Sequence, residues 1–128
     1  MKNVLLTSAA VLTLGVGATH AQDLKFPVGE GGFNWDSFQA FADANDLSGQ
    51  TLNVFGPWRG DDQALAESIW AYFEQATGAS VNYSSSENYE QQIVIDAEAG
   101  SPPDIAILPQ PGLIQNLVSK GFVEPLGD

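Results

Sequence analysis

Three times in succession a short apolar run is followed, after a few turn-forming residues, by an amphipathic stretch, and this alternation constrains the fold more than any other feature of the chain. The runs are Thr51 to Phe55, Ala79 to Tyr83 and Ile105 to Leu108; the amphipathic stretches begin at Asp61 or Asp62, at about Asn88 and at Gly112. Parallel strands cannot be joined by a tight turn and need a crossover of roughly a dozen residues or more, which each helical stretch supplies. Strand, helix, strand, helix, strand, helix with connections this short predicts right-handed crossovers and an α/β fold, a mostly parallel sheet flanked by helices on both faces. In open sheets of this kind a ligand sits beyond the carboxyl ends of the strands. The candidate site is thereby confined to three loops before any chemistry is considered: Pro57 to Asp61, Ser84 to Asn88 and Pro109 to Gly112.

Element boundaries follow from start and stop signals. Asn34 can cap a short helix with Trp35, Phe38 and Phe41 on one face, ending near Asn45. Asp61 or Asp62 is expected to cap the next helix, whose apolar positions Leu65, Ile69, Trp70, Tyr72, Phe73 and Ala76 follow a helical period until Gly78 stops it. One serine of Ser84-Ser85-Ser86 is expected to cap the helix in which Tyr89, Ile93 and Ala97 align. Gly100 ends that helix, and Pro102 and Pro103 prevent its resumption and force an extended path. Ile105 to Leu108 has the continuous apolar character of a strand covered on both faces. In the last helix Leu113, Ile114, Leu117 and Val118 are expected to face inward, and Phe122 to Leu126 leaves it as an extended segment. Gln22 to Gly32, polar and rich in glycine, reads as an extended, poorly ordered lead-in.

The chain begins with Lys2 and an apolar run from Val4 to Val16, then Ala18-Thr19-His20-Ala21 before the polar Gln22-Asp23. That run is too short to span a bilayer and ends in small residues, so residues 1–21 are read as a cleavable secretory signal. No cysteine follows to accept a lipid, which implies a free periplasmic protein with no stable membrane insertion once the signal is cut. The domain plan is a signal over 1–21, a polar lead-in and short helix over 22–50, and the sheet-forming unit over 51–128. Cysteine is absent altogether, so burial alone must hold the fold in an oxidising compartment. Sixteen acidic residues against four basic ones give a formal charge of −12, a field that repels nucleic acid and anionic lipid head groups. The single histidine, His20, falls within the expected signal, which removes imidazole chemistry and histidine metal ligation from the remainder.

The three loops offer contacts suited to a sugar. Trp58 stands beside the chain's one arginine, Arg59. A pyranose has an apolar C–H face and a rim of hydroxyls, so an indole can stack on it while a planar five-donor fork addresses the rim. The structural alternative is that Trp58 closes the core at the strand end and Arg59 pairs with Asp61 or Asp62. In the second loop Ser86 and Glu87 supply short hydrogen-bonding groups; Glu87 can accept from adjacent hydroxyls, although an acid at a helix start is also favoured by the dipole alone. Gln110, held between Pro109 and Pro111, is presented in an extended pose. The ligand-binding candidates are therefore Trp58, Arg59, Ser86, Glu87 and Gln110.

Catalysis finds less support. Asp61 and Asp62 are paired carboxylates, but neighbours at a helix start point in different directions, whereas glycosidases need two acids facing each other across a bond. Tyr83 and Tyr89 lack the further ligands an iron site requires. The glycines around Glu30 follow no strand, so they form no dinucleotide loop, and no phosphate loop or nucleophile elbow occurs. No catalytic residue, cofactor or metal is expected.

The first strand with its GPW, the amphipathic helix ending in ATGAS, the AGSPPDI junction and the closing GFVEPLGD occur in an order and spacing that resembles the family 1 extracellular solute-binding proteins of carbohydrate ABC importers, nearest the alpha-glucoside-binding members of alphaproteobacteria. The likeness covers about Thr51 to Leu126. It implies a periplasmic-binding-protein-like fold, a two-lobed clamshell that captures a sugar, closes by a hinge and presents it to membrane permease subunits. On that likeness 51–128 is an incomplete lobe I, its first βαβαβα part, with a sheet edge left unprotected. It raises the binding reading of Trp58, since family members contact ligand from this loop. The implied function is capture of an alpha-glucoside or other oligosaccharide without enzymatic activity. The alternatives are a polyamine or other cationic solute, which the negative charge would tolerate, and a secreted hydrolase using Asp61 or Asp62.

Overall fold

Four helices and three strands alternate in the order α1 (Trp35–Ala44), β1 (Thr51–Phe55), α2 (Asp61–Thr77), β2 (Ser80–Ser84), α3 (Tyr89–Glu98), β3 (Ile105–Ala106) and α4 (Pro111–Ser119). The computed structural model describes residues 24–125. The secretory signal expected over 1–21 and the end of the last extended segment at Leu126 lie outside the described residues. The strands form one sheet in the order β2-β1-β3, with both pairings parallel. The α/β architecture implied by the alternation is therefore present: a parallel open sheet with helices on both faces.

Val54 and Phe55 point to opposite faces of β1 and are both buried, as expected for a central strand covered on two sides. On one face Phe55 packs with Ile93 and Ala97 of α3 and Leu117 of α4, and Tyr89 meets the Phe55 ring edge-on at 6.3 Å. Burying each of these larger side chains contributes about 1.5–3 kcal/mol, so this cluster is the main cohesive element in a chain without disulfides. On the other face lie α2 and, beyond it, α1, whose Trp35 and Phe38 contact Tyr72 and whose Phe41 contacts Phe73. Asn34 caps α1 as expected, its Oδ1 accepting the Ser37 N–H at 3.1 Å. Gly78 ends α2 in the left-handed conformation, φ 73°, with its N–H on the Glu74 carbonyl.

Side chains also complete the sheet where the main chain cannot. The Val81 N–H, on the outer side of β2, donates to Glu74 Oε1 at 2.6 Å. Asp104 Oδ2 accepts the Asn53 N–H at 2.7 Å and the Asn53 side-chain amide at 3.1 Å, and Asn82 Nδ2 donates to Asn53 Oδ1. A carboxylate from the AGSPPDI junction thus extends the β1–β3 pairing by one step and links all three strands.

Several expectations are corrected. Neither Asp61 nor Asp62 is the cap of α2: Gly60 is, at φ 59° and ψ −125°, a combination essentially reserved for glycine, and it turns the chain so abruptly that Asp61 is already helical. Both acids still face the favourable end of the helix dipole. The residues of α2 that are buried are Ala66, Ala71 and Thr77, while Leu65 and Ile69 are 53% and 63% exposed. Small side chains let the helix approach the sheet on the β2 side, which turns the flank bearing Leu65 and Ile69 outward. β3 is two residues long, not four, because β1 ends at Phe55 and leaves Leu108 without a pairing partner after the Ile107 N–H reaches the Phe55 carbonyl. Nor is β3 covered on both faces, since Ile105 is 46% exposed. No serine caps α3; Asn88 stands at the cap without a side-chain bond. In α4 Leu117 is buried and Leu113 half-buried, while Ile114 and Val118 are exposed. The lead-in is held from Phe26 onward: the Phe26 N–H donates to Tyr72 Oη, and that hydroxyl donates back to the Phe26 carbonyl.

Candidate functional site

Because all three strands run the same way, the segments following Phe55, Ser84 and Ala106 emerge at one edge of the sheet. Gly56 lies at their convergence. Its N–H donates to the Ser84 carbonyl, continuing the β1–β2 ladder one residue past the strand. A Cβ at this position would lie 3.1 Å from Ile107 Cβ and 3.1 Å from Tyr83 Oη, so glycine serves here for space and not for a left-handed φ.

Tyr83 stands opposite Val54 in the β1–β2 register, and its hydroxyl reaches past the strand end. The Trp58 N–H donates to Tyr83 Oη at 2.7 Å, and the same hydroxyl donates to the Trp58 carbonyl at 2.9 Å. Its ring packs on Trp70 of α2 at 5.2 Å and on Trp58 at 6.4 Å. Trp58 is 37% exposed and borders an apolar groove of about 320 Å³ together with Ile69, Trp70, Ile105 and Ile107. One part of the indole is therefore packed against its neighbours, and another faces open space.

Arg59 does not pair with Asp61 or Asp62. Its Nη2 meets Glu87 Oε1 at 3.2 Å, which bridges the first loop to the second. Both side chains are largely in water, and a surface pair of this kind contributes about 0–1 kcal/mol to stability. It leaves most of the guanidinium donors and the second carboxylate oxygen free for other partners. Beside it, at the start of α3, a depression of about 280 Å³ is lined by Glu87, Asn88, Tyr89, Glu90 and Gln91. The hydroxyl oxygens of Ser85 and Ser86 are shielded from solvent and have no hydrogen-bond partner, so neither is committed to a cap. Gln110 is the N-cap residue of α4, exposed and in extended conformation, and no side-chain cap bond occupies it.

Of the five sequence candidates, Arg59 and Glu87 are in direct contact, Ser86 is the neighbour of Glu87, Trp58 is turned toward the α2 side, and Gln110 belongs to the third loop at the same edge. Sequence reasoning weighed Tyr83 only as an iron ligand and Trp70 only as an apolar helix position, and it did not place them or Gly56 around Trp58. The one signal available for Tyr83 was its place as an aromatic at the end of a strand on the face of Val54. Asp61 and Asp62 are exposed first-turn residues of α2. Among the described residues no helix is long and apolar enough to cross a membrane.

Residues 56–128 match the family model for the bacterial extracellular solute-binding protein. Over 135 aligned positions covering the whole chain, the sequence is 57% identical to the alpha-glucosides-binding periplasmic protein AglE of Rhizobium meliloti (strain 1021), of which it spans 30%. A stretch covering 65% of the chain is 31% identical to the osmoprotective compounds-binding protein GgtB of Synechocystis sp., and this corresponds to 20% of that protein. No solved structure matches.

Proposed function

Since the chain belongs to the bacterial extracellular solute-binding protein family, we propose that it forms part of the substrate-binding component of a carbohydrate ABC importer, capturing an alpha-glucoside in the periplasm and delivering it to the membrane permease. The observation that carries this reading is the Arg59–Glu87 pair, a donor fork and a carboxylate already joined across two loops at the strand ends. Adjacent sugar hydroxyls each donate and accept, so they can insert between such partners and satisfy both with little loss of stability. Trp58 supplies an apolar surface for the C–H face of the ring and Gln110 adds a polar contact at the margin, while the shielded Ser86 hydroxyl contributes only if the second loop shifts to uncover it. The likeness to an alpha-glucosides-binding relative supports the choice of sugar. In this reading residues 1–21 are the export signal, 51–128 form the first part of a lobe, and the protein is a carrier and not an enzyme.

A cationic solute is the second reading, favoured by the formal charge of −12. Against it, Glu87 already has a cationic partner that a polyamine would have to displace. Isothermal titration of the intact protein with maltose, trehalose, sucrose and spermidine separates the two. Heat with an alpha-glucoside is the expected result, with a larger affinity loss in Trp58→Ala than in Gln110→Ala. Heat with spermidine alone overturns the sugar reading, and turnover of an aryl glucoside that disappears in Asp61→Asn or Asp62→Asn overturns the carrier reading.

A further inference from the structure

We infer that Tyr83 is the positioning residue of the candidate site: its hydroxyl, bonded to both the amide and the carbonyl of Trp58, fixes the first loop in the conformation that recognises ligand. The inference rests on the reading that this loop touches the solute. A tyrosine serving only to fill the core would need its ring and not its oxygen. Here both hydrogen bonds of the oxygen go to one loop residue outside the sheet, while the ring is held separately by Trp70.

The neighbouring residues are arranged around that oxygen. A side chain at position 56 would press on Tyr83 Oη, and glycine leaves the approach open. The residue after the bridged Trp58 is Arg59, whose guanidinium meets Glu87. Trp58 packs on the same tyrosine ring. One hydroxyl thereby determines the loop path from which both the indole and the guanidinium are presented. Tyr72 uses the same two-bond arrangement to hold Phe26, but that contact lies on the lead-in, far along the chain from the three loops. The two tyrosines therefore form an internal comparison, one holding a recognition loop and the other a segment that the proposed site does not include.

Ordering a loop before the ligand arrives removes an entropic cost from binding, so loss of the bridge lowers affinity more than it lowers stability. The test uses the intact protein with Tyr83→Phe, which keeps the ring and removes the oxygen, and Tyr72→Phe as the comparison. Amide exchange at Trp58, measured without ligand, is expected to accelerate at least about tenfold in Tyr83→Phe, while the amides of Ile93 and Ala97 are unchanged. Maltose affinity is expected to fall about tenfold in Tyr83→Phe and less than about twofold in Tyr72→Phe. Unaltered exchange at Trp58, or equal loss of maltose affinity in the two variants, overturns the inference. Should the wild-type protein bind no maltose, the sugar reading fails, and the exchange at Trp58 still decides for or against the role of the hydroxyl.

Discussion

Replacing Asp104 by alanine removes an acceptor that stands in for missing main chain. Its Oδ2 takes two hydrogen bonds from Asn53, one from the backbone at 2.7 Å and one from the side chain at 3.1 Å, and Asn53 in turn accepts from Asn82. Hydrogen bonds to a charged acceptor contribute about 1.5–3 kcal/mol when water is excluded. Asp104 is exposed, so water can replace part of that, and Asp104→Ala is expected to cost about 1 kcal/mol. With a urea dependence of about 1–3 kcal/mol per molar, the unfolding midpoint falls by roughly 0.3–1 M. Asp104→Asn keeps a side-chain oxygen in nearly the same place and is expected to lose less than about half as much. Urea titrations of the intact protein, paired with amide exchange at Asn53, measure both effects. The reasoning is refuted if the two variants lose equal stability, because charge and not the acceptor would then be responsible, or if the Asn53 amide exchanges no faster in Asp104→Ala.

Two further outcomes test the core. Leu117 is 2% exposed between α4 and the sheet, so Leu117→Ala is expected to cost about 2–5 kcal/mol in chemical denaturation; a loss below about 1 kcal/mol would mean the α3–α4 cluster is not the main source of cohesion. Tyr89 has its hydroxyl pushed above the ordinary 10.0, first by removal of the ring from water and then by the adjacent Glu90 carboxylate. The folded state holds that proton more tightly than the unfolded chain, so its contribution is complete below pH 10.0 and is lost as the pH rises from there through the elevated folded value. Tyr89→Phe is expected to flatten the dependence of stability on alkaline pH, and an unchanged slope would contradict that assignment.

Most of the fold could be read from the chain because each parallel crossover declares itself through an apolar run, a turn and a helical period. What escaped reading were decisions made by neighbours. Nothing local reveals that Ala66 and Ala71, and not Leu65 and Ile69, meet the sheet; the choice depends on how closely α2 can approach β2. The length of β3 depends on where β1 stops, and the start of α2 on a Gly60 conformation that sequence permits without requiring. In the candidate site the loops were legible because topology assigns them. The partner of Arg59 was not, since Glu87 lies 28 residues away and reaches it only through the β1–β2 register. Tyr83 was hidden for the same reason: its oxygen acts on a loop 25 residues earlier in the chain.

Three strand ends meet at Gly56, a residue with no side chain of its own, and this separates what must stay constant from what is free to vary. The scaffold is fixed at a point that has no side chain to offer. Trp58, Glu87 and Gln110 stand outside it, so under the proposed function exchanging any of them is expected to change what is bound while leaving the strand pairing as it is. A single methyl group at that hub would instead press on Ile107 and on the Tyr83 hydroxyl, and through the hydroxyl on the backbone of Trp58, so one small change there reaches two segments at once.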